Sequence, residues 1–178
     1  LYGLGARIAS EGALRALARA KERPPGKGFI VLINDARDIT KLARSVPQEA
    51  RALIARFWPG PLTIVCKKRT GLSPLLTGNR DTVAIRCTSH PVARALIATL
   101  GEPIAAPSAN VAGHEPPKTA RGAMRELART PFIALALDAG ASKTTQPSTI
   151  VDASRSPICV IRRGAVPLRL VHEVLARA

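Results

Sequence analysis

The sequence predicts an α/β fold, built as a single domain with a mixed sheet flanked by helices. Short apolar runs such as Phe29–Ile33 alternate with segments of helical spacing, which is the pattern of α/β proteins. Strands late in the chain follow one another closely, so some neighbours in the sheet must be antiparallel. A length of 178 residues fits one domain with one core.

The first predicted elements are a helix and a strand. Ser10 is a favoured N-cap residue, and Leu14 and Leu17 recur at helical spacing, so we expect a helix over about residues 11 to 22. Five consecutive apolar residues at Phe29–Ile33 indicate a strand that is covered on both faces.

Helix-start residues and turn residues divide the next part of the chain. Asp35 and Pro47 are expected to begin two short helices. Strands are predicted at Leu62–Cys66 and Thr82–Cys87, where apolar and β-branched residues dominate. The basic, glycine-containing segment 67 to 80 between these strands is expected to be a surface loop.

The second half of the chain continues the alternation of helices and strands. Pro91 suits the first position of a helix and Gly101 suits its end, so a helix is predicted between them. A buried strand is predicted at Pro103–Ala106. The remaining predicted elements are strands at Phe132–Asp138, Thr149–Asp152 and Ile158–Ile161 and a terminal amphipathic helix at Leu168–Ala178.

The charge of the chain points to an anionic partner. Lys and Arg number 27 against 12 Asp and Glu, which gives a formal net charge of +15. Such a field attracts polyanions, and tRNA, duplex RNA and nucleotides are the candidates. Aromatic residues are only 3% of the chain, which disfavours stacking on bases and favours contact with a nucleic-acid backbone. Alternatively, many of the arginines are simply solvated on exposed helix faces.

Missing motifs exclude several classes of protein. The sequence has no GxxxxGK[ST] loop, no HExxH and no GxSxG, the motifs of P-loop nucleotidases, zinc peptidases and serine hydrolases.

The sequence has no apolar run long enough to span a membrane and no cleavable signal, so we expect a cytoplasmic protein with no membrane partner. Cys66, Cys87 and Cys159 are expected to be reduced core residues, and no protein-held metal is predicted.

Two neutral polar side chains follow the strand at Pro103–Ala106. Ser108 and Asn110 are expected at the carboxyl end of this strand, where open α/β sheets bind their ligands. Hydrogen-bonding groups at that position indicate a polar ligand. Equally, Ser and Asn there can simply form the turn after the strand.

Basic residues at the ends of helices and strands are further candidates. Lys21 and Arg23 close the first helix, and a cation at this position most often complements the helix dipole. Arg86 and Arg162 end predicted strands, where an unpaired buried cation is costly and favours an anionic partner. Ser148 begins another strand after a loop that can wrap a phosphate or carboxylate, or can be an ordinary turn.

Taken together, these segments resemble the YrdC family over nearly the whole chain. Eight short motifs occur in the family's order, which makes the match specific. They are Tyr2-Gly3-Leu4-Gly5, Lys21-x-Arg23-Pro24 with Lys27-Gly28, Phe57-Trp58-Pro59-Gly60-Pro61-Leu62-Thr63, Thr82-Val83-Ala84-Ile85-Arg86, His90-Pro91, Ser108-Ala109-Asn110 with Gly113, Ser148-Thr149-Ile150-Val151-Asp152, and Arg162-x-Gly164-Ala165.

The resemblance implies an L-threonylcarbamoyladenylate synthase of the short bacterial form. Such an enzyme is a nucleotidyltransferase that joins L-threonine, bicarbonate and ATP into threonylcarbamoyl-AMP and releases pyrophosphate, with Mg²⁺ expected to bridge the phosphates. The product feeds the N6-threonylcarbamoyl modification of adenosine 37 in tRNA, through a separate threonylcarbamoyl-transfer complex. Family members fold as a twisted mixed sheet with a wide, positively charged concave face.

The resemblance also implies roles for individual residues. Lys21 would lie near the phosphates and would share the catalytic role with Arg23. The implied ATP-binding residues are Arg23, Thr82, Asn110 and Arg162, and the implied threonine-binding residues are Arg86, Ser108 and Ser148.

The chain departs from the family pattern at its start. Family members usually open with a threonine-contacting strand before Val-Tyr-Gly-Leu-Gly, whereas this sequence begins at Leu1 within that motif. We therefore expect residues 1–178 to be one domain that is truncated at its N-terminus relative to the family. If that strand is truly absent, weak or absent synthase turnover is expected.

Two other functions fit parts of the pattern. One is a YrdC-like protein that binds RNA on its basic face without catalysis. The other is a carbamoyl-transfer domain of the hydrogenase-maturation type, which has the same fold and uses carbamoyl phosphate. Proteins of the latter type carry added acylphosphatase and zinc-finger regions, and these 178 residues contain neither.

Overall fold

A computed structural model describes residues 1–128, 130–144 and 146–178. These residues form an α/β domain with seven strands in one sheet. The strands are β1 (Ala6–Arg7), β2 (Ile30–Ile33), β3 (Leu62–Lys67), β4 (Thr82–Cys87), β5 (Ile104–Ala105), β6 (Thr149–Asp152) and β7 (Cys159–Arg162). The helices are α1 (Glu11–Ala20), α2 (Gln48–Phe57), α3 (Pro74–Thr77), α4 (Pro91–Leu100), α5 (Ala120–Glu126) and α6 (Leu168–Leu175), with a 3-10 helix at Ala36–Lys41.

The sheet is mixed, as the close spacing of the late strands predicts. Its strand order is β1-β5-β2-β4-β3-β6-β7. The pairs β2 with β4 and β3 with β6 are parallel, and the other four pairs are antiparallel. This topology brings the amino end of β2 beside the carboxyl end of β5, and the carboxyl end of β4 beside the amino end of β3.

Helices cover one face of the sheet and form the core. Leu14 of α1, Leu53 of α2 and Val171 of α6 are completely buried and belong to one cluster with Val31 and Ile85 of the central strands. Burying apolar side chains of this size stabilises the fold by roughly 1.5–3 kcal/mol each.

The opposite face of the central strands is only partly covered. Burial alternates along β2 and β4, so that Ile30, Leu32, Thr82, Ala84 and Arg86 share the more exposed face. The expectation that β2 is covered on both faces is therefore wrong. A continuous apolar run does not exclude an open face, because aliphatic side chains can form the floor of a binding surface.

The structure contradicts the strand predicted at Phe132–Asp138. This segment pairs with no strand, and Leu135 is 72% exposed. The segment is instead attached at its end, where the Tyr2 hydroxyl donates to Asp138 Oδ1 at 2.8 Å. An apolar run predicts a strand only where the sheet offers an edge to pair with, and that is decided by the tertiary fold.

Three short elements were not predicted. β1 has two residues, α3 lies inside the predicted loop 67 to 80, and α5 precedes the wrongly predicted strand. The helix α3 does carry start and stop signals, since Ser73 caps it and Gly78 ends it with a left-handed backbone at φ 64°. Four residues are too few for a periodic apolar pattern to appear in the sequence.

Candidate active site on the open face of the sheet

The candidate residues lie in two groups at opposite ends of the open face. The Lys21 group is at the amino ends of β2 and β4, and the Arg86 group is at the carboxyl end of β4. Thr82 and Arg86 are four residues apart on one face of β4, which separates the ends by roughly 13 Å. The Lys21 group comprises Lys21, Arg23, Thr82, Ser108 and Asn110, and the Arg86 group comprises Thr63, Arg86, Ser148 and Arg162.

Lys21 is held by the segment that follows β5. It is the C-cap residue of α1, and its side chain is only 3% exposed. Its ammonium donates to the carbonyl oxygens of Ser108 at 2.5 Å and Asn110 at 2.6 Å. Burial and the nearby charge of Arg23 lower the pKa of Lys21 to about 8. A cation in this setting gains from an additional anionic partner.

Arg23 is fixed by main-chain carbonyls just before β2. Its guanidinium donates to Lys27 O at 2.9 Å and to Gly28 O, and it lies 4.5 Å from the centre of the Phe29 ring. Burial lowers the pKa of Arg23. The carbonyls and the aromatic ring orient the guanidinium without neutralising its charge, which keeps the charge available to a ligand.

Asn110 presents an unsatisfied acceptor. Its Nδ2 donates to Val111 O at 2.9 Å and to His114 O at 2.7 Å, which fixes the orientation of the carboxamide. Its Oδ1 is buried without a partner among the described residues. Glu126 supports this loop by accepting from Val111 N at 3.1 Å and from His114 Nδ1 at 2.7 Å. A buried acceptor without a donor is costly unless a ligand supplies one.

A β-bulge turns Arg162 toward the open face. Val160 pairs with Val151 and Arg162 pairs with Ile150, so Ile161 is an extra residue on β7. Without it, strand alternation would place Ile161 on the face that Arg162 occupies. Arg162 now lies on the same face as Ile150, and its guanidinium reaches the residue that precedes β6.

Ser148 is the centre of the contacts in the Arg86 group. Arg162 Nε donates to Ser148 O at 3.0 Å, and Arg162 Nη2 donates to Ser148 Oγ at 2.9 Å. Ser148 Oγ also lies 2.8 Å from Thr63 Oγ1. Thr63 is fully buried, and sequence reasoning assigned it no function. The signal available in the sequence was a hydroxyl within an apolar strand. In the sheet, Ile64 pairs with Ile85, which places the preceding Thr63 beside Arg86.

Arg86 has few contacts for a half-buried guanidinium. Its Nε donates to Gly60 O at 2.9 Å. Burial and the charge of Arg162 lower the pKa of Arg86, and burial also lowers the pKa of Arg162. Two partly buried cations that repel each other are stabilised by an anion between them.

The site cations have no acidic partners in the described part of the chain. None of Lys21, Arg23, Arg86 and Arg162 forms an ion pair there, although seven ion pairs occur elsewhere in it. Nor do three or more His, Cys, Asp or Glu side chains come together there in a group that could hold a metal ion. The open face therefore carries four cations without an ion-pair partner among the described residues.

The predicted site residues are thus brought to one face, but not in the pairs expected. Ser108, predicted on the threonine side, supplies its carbonyl to Lys21 at the Lys21 end. Arg162, predicted on the nucleotide side, contacts Ser148 at the Arg86 end. A ligand that reaches from one group to the other can contact both residues.

Known proteins resemble this chain over nearly its whole length. A family model named Sua5_yciO_yrdC and described as "Telomere recombination" matches residues 1–164. Threonylcarbamoyl-AMP synthase of Pyrococcus abyssi is 36% identical over 98% of this chain and 51% of its own length, and that of Bacillus subtilis is 36% identical over 98% and 50%. This chain spans about half the length of these two relatives.

A solved structure shows the same fold. The crystal structure of P. abyssi Sua5 complexed with L-threonine is 36% identical in sequence, with a TM-score of 0.91, and the match covers 97% of this chain and 50% of that chain. The family match and the shared fold both cover nearly all of the sequence. The chain therefore belongs to the Sua5/YciO/YrdC family.

Proposed function

We propose that this chain forms threonylcarbamoyl-AMP from L-threonine, bicarbonate and ATP, with release of pyrophosphate. The observation that carries the proposal is the open face itself, where Lys21, Arg23, Arg86 and Arg162 have no carboxylate partner in the described residues. A triphosphate and an amino acid carboxylate are the anions that this reaction brings together. The names of the relatives support the same reaction.

The Lys21 group is the proposed nucleotide end of the site. Arg23 and Lys21 are proposed to contact the phosphates, because their charges are oriented but not neutralised. Asn110 Oδ1 is proposed to accept a hydrogen bond from the nucleoside, which would satisfy its buried acceptor. Thr82 would contact the nucleotide from the start of β4.

The Arg86 group is the proposed amino acid end. Arg86 and Ser148 are proposed to bind the carboxylate of threonine, since both offer donors near a second cation. Arg162 would stabilise the phosphate that lies nearest this end. Ser108 is proposed to approach threonine from the Lys21 end, where the carbamate forms.

The chemistry needs positioned charge more than acid–base groups. The threonine amine attacks CO₂ or bicarbonate to give a carbamate, with loss of a proton or of water. A carbamate oxygen then attacks the α-phosphorus of ATP, and the bond to the departing pyrophosphate breaks. Negative charge grows on the phosphorane oxygens and on pyrophosphate, and the fixed cations stabilise it. No general base is assigned.

We propose no protein-held metal site. The described residues bring no group of three or more acidic, His or Cys side chains together, and Mg²⁺ in nucleotide sites is held largely by the substrate phosphates. No step is therefore assigned to the metal. We expect Mg²⁺ to enter as part of the ATP complex.

We also propose macromolecular partners in addition to the small substrates. The net charge of +15 supports contact with a tRNA or duplex RNA backbone. The labile product would pass to a separate threonylcarbamoyl-transfer complex in the cytoplasm. In the described residues, no helix has the length and apolar character needed to cross a membrane.

The test is pyrophosphate release together with detection of threonylcarbamoyl-AMP by mass spectrometry. Release should require ATP, L-threonine and bicarbonate together and should be lost in Arg23→Ala. Product formation in the absence of threonine or of bicarbonate would contradict the proposal. RNA binding that survives Arg23→Ala, with no ATP binding, would instead favour the non-catalytic alternative.

A further inference from the structure

Thr63 is a buried polar residue on the open face that the proposed reaction does not yet use. Its side chain has no exposed surface, and it lies in β3 between two fully buried apolar neighbours, Leu62 and Ile64. Its hydroxyl has one hydrogen-bond partner in the described residues, Ser148 Oγ at 2.8 Å. A buried hydroxyl with a single partner has few ways to satisfy its hydrogen.

The direction of hydrogen bonding around Ser148 follows from the donors present. A guanidinium has no acceptor, so Arg162 Nη2 must donate to Ser148 Oγ at 2.9 Å. If Ser148 donated to Thr63, the Thr63 hydrogen would be buried without an acceptor. Thr63 therefore donates, and both lone pairs of Ser148 Oγ are occupied.

This leaves the Ser148 hydroxyl as a donor only. With both lone pairs occupied by Thr63 and Arg162, its hydrogen must point to a third atom, which has to be an acceptor. A carboxylate oxygen is the acceptor that gains most from this donor, because a hydrogen bond to an ionised group is roughly twice as strong as one to a neutral oxygen. Arg86, held on Gly60 O at 2.9 Å, supplies the matching positive charge at the same end of the face.

We propose that Thr63 is a positioning residue that fixes the Ser148 hydroxyl as a donor and so makes this end of the site selective for a carboxylate over a neutral group. The proposal rests on the proposed function, which places threonine at the Arg86 group. Thr63 touches no substrate atom in this account and acts through Ser148 alone.

The experiment compares binding of L-threonine with binding of L-threoninol, which has a hydroxymethyl group in place of the carboxylate. Thr63→Val removes the hydroxyl at nearly constant shape. It should weaken L-threonine about ten- to a hundredfold, the effect of one hydrogen bond to a charged group, and weaken L-threoninol much less, because the hydroxyl oxygen of L-threoninol is a neutral acceptor. Thr63→Ser should restore the selectivity, and Thr63→Ala should lose it as Thr63→Val does.

Thr149→Val is the matched control. Thr149 is equally buried and lies in the adjacent strand β6, but its hydroxyl contacts the main chain of Val166 on the core side, at 2.8 Å and 3.0 Å. This control should lower the melting temperature without changing the ratio of the two affinities. Ser148→Ala should lose selectivity, and adding Thr63→Val to it should cause no further loss.

The outcomes separate this inference from the proposed function. If the unsubstituted chain is selective and folded Thr63→Val and Thr63→Ala keep that selectivity, the positioning role of Thr63 is overturned. The proposed function is then unaffected. An unsubstituted chain that binds L-threonine and L-threoninol equally overturns the selectivity of this end of the site, and one that binds neither contradicts the proposed function as well. A change in Thr149→Val as large as that in Thr63→Val would show an effect of general destabilisation and would also overturn the inference.

Discussion

Arg162 contacts Ser148 twice, through Nε to the carbonyl oxygen at 3.0 Å and through Nη2 to the hydroxyl at 2.9 Å. The contact depends on the extra residue Ile161 in β7, which brings Arg162 to the face of Ile150. It links the end of one strand to the start of its neighbour. The same residues therefore stabilise the sheet edge and shape the proposed amino acid end of the site.

Gly164 should be needed for this contact. A Cβ atom there would lie 2.5 Å from both Pro147 O and Thr149 N, so the two segments would have to move apart. We expect Gly164→Ala to lower the free energy of unfolding by roughly 1–3 kcal/mol and to weaken L-threonine binding. Denaturant unfolding and calorimetry measure these effects.

Gly12→Ala is the control for that substitution. Gly12 lies in α1, where a Cβ atom would make only an ordinary contact at 3.9 Å with Ser10 Oγ. Because Ala favours helix more than Gly, this change should stabilise the fold by about 0.5–1 kcal/mol and leave threonine binding intact. Equal effects of the two substitutions would contradict the close approach at Gly164.

ATP binding should depend on pH through Lys21. Its pKa is lowered to about 8, so the ammonium is largely present at pH 7 and is lost as the pH rises through 8. Because the folded pKa lies below the ordinary value of 10.5, folding is penalised most below pH 8, and the penalty fades toward pH 10.5. We expect ATP affinity to fall as the pH rises above 8.

Titrations of ATP alone measure this dependence when they run from about pH 6.5 to about pH 9.5, roughly 1.5 units on either side of this pKa. Threonine and bicarbonate are omitted because both titrate in or near this range. Lys21→Arg should move the decline to higher pH, and Lys21→Met should bind ATP weakly at every pH. A decline that stays at pH 8 in Lys21→Met would assign it to another group.

Arg23 should contribute mainly to turnover, and Trp58 mainly to the stability of the fold. Arg23→Ala removes a guanidinium held by Lys27 O and Gly28 O, so it should reduce turnover much more than stability. Trp58 is 9% exposed and its Nε1 donates to Leu62 O at 2.8 Å. Trp58→Ala should cost about 3–5 kcal/mol of unfolding free energy. Parallel loss of stability and turnover in Arg23→Ala would count against its assignment.

Glu126 should support ATP binding without touching the nucleotide. It accepts from Val111 N and His114 Nδ1, and these contacts lower its pKa. They hold the loop whose carbonyls orient Asn110. We expect Glu126→Ala to weaken ATP binding a few-fold through the lost contacts, and Glu126→Gln to retain most of it. Threonine affinity serves as the internal control and should not change.

Local signals made much of the fold predictable. Pro91 and Gly101 bracket α4 as expected, and Asp35 and Pro47 precede the next two helical segments. Ser10 accepts from Ala13 N and caps α1. These predictions succeeded because caps and turn residues act within one helical turn and do not depend on distant parts of the chain.

The parts that failed depend on distant contacts. The segment Phe132–Asp138 has the apolar content of a strand but pairs with no strand, and the apolar β2 has an open face. In the site, the pairing of Arg162 with Ser148 depends on a bulge, and the importance of Thr63 depends on one 2.8 Å contact across 85 residues. The sequence contains no local signal for the bulge, and for Thr63 it shows only a hydroxyl within an apolar strand.

The most direct test of the two-ended site is a set of calorimetric titrations of ATP and of L-threonine against the unsubstituted chain, Arg23→Ala and Arg86→Ala. Each variant removes a cation from one end of the open face. Arg23→Ala should lose ATP affinity and keep threonine affinity, and Arg86→Ala should do the reverse. If both variants lose both ligands equally, or neither variant changes either affinity, these residues do not form the site described.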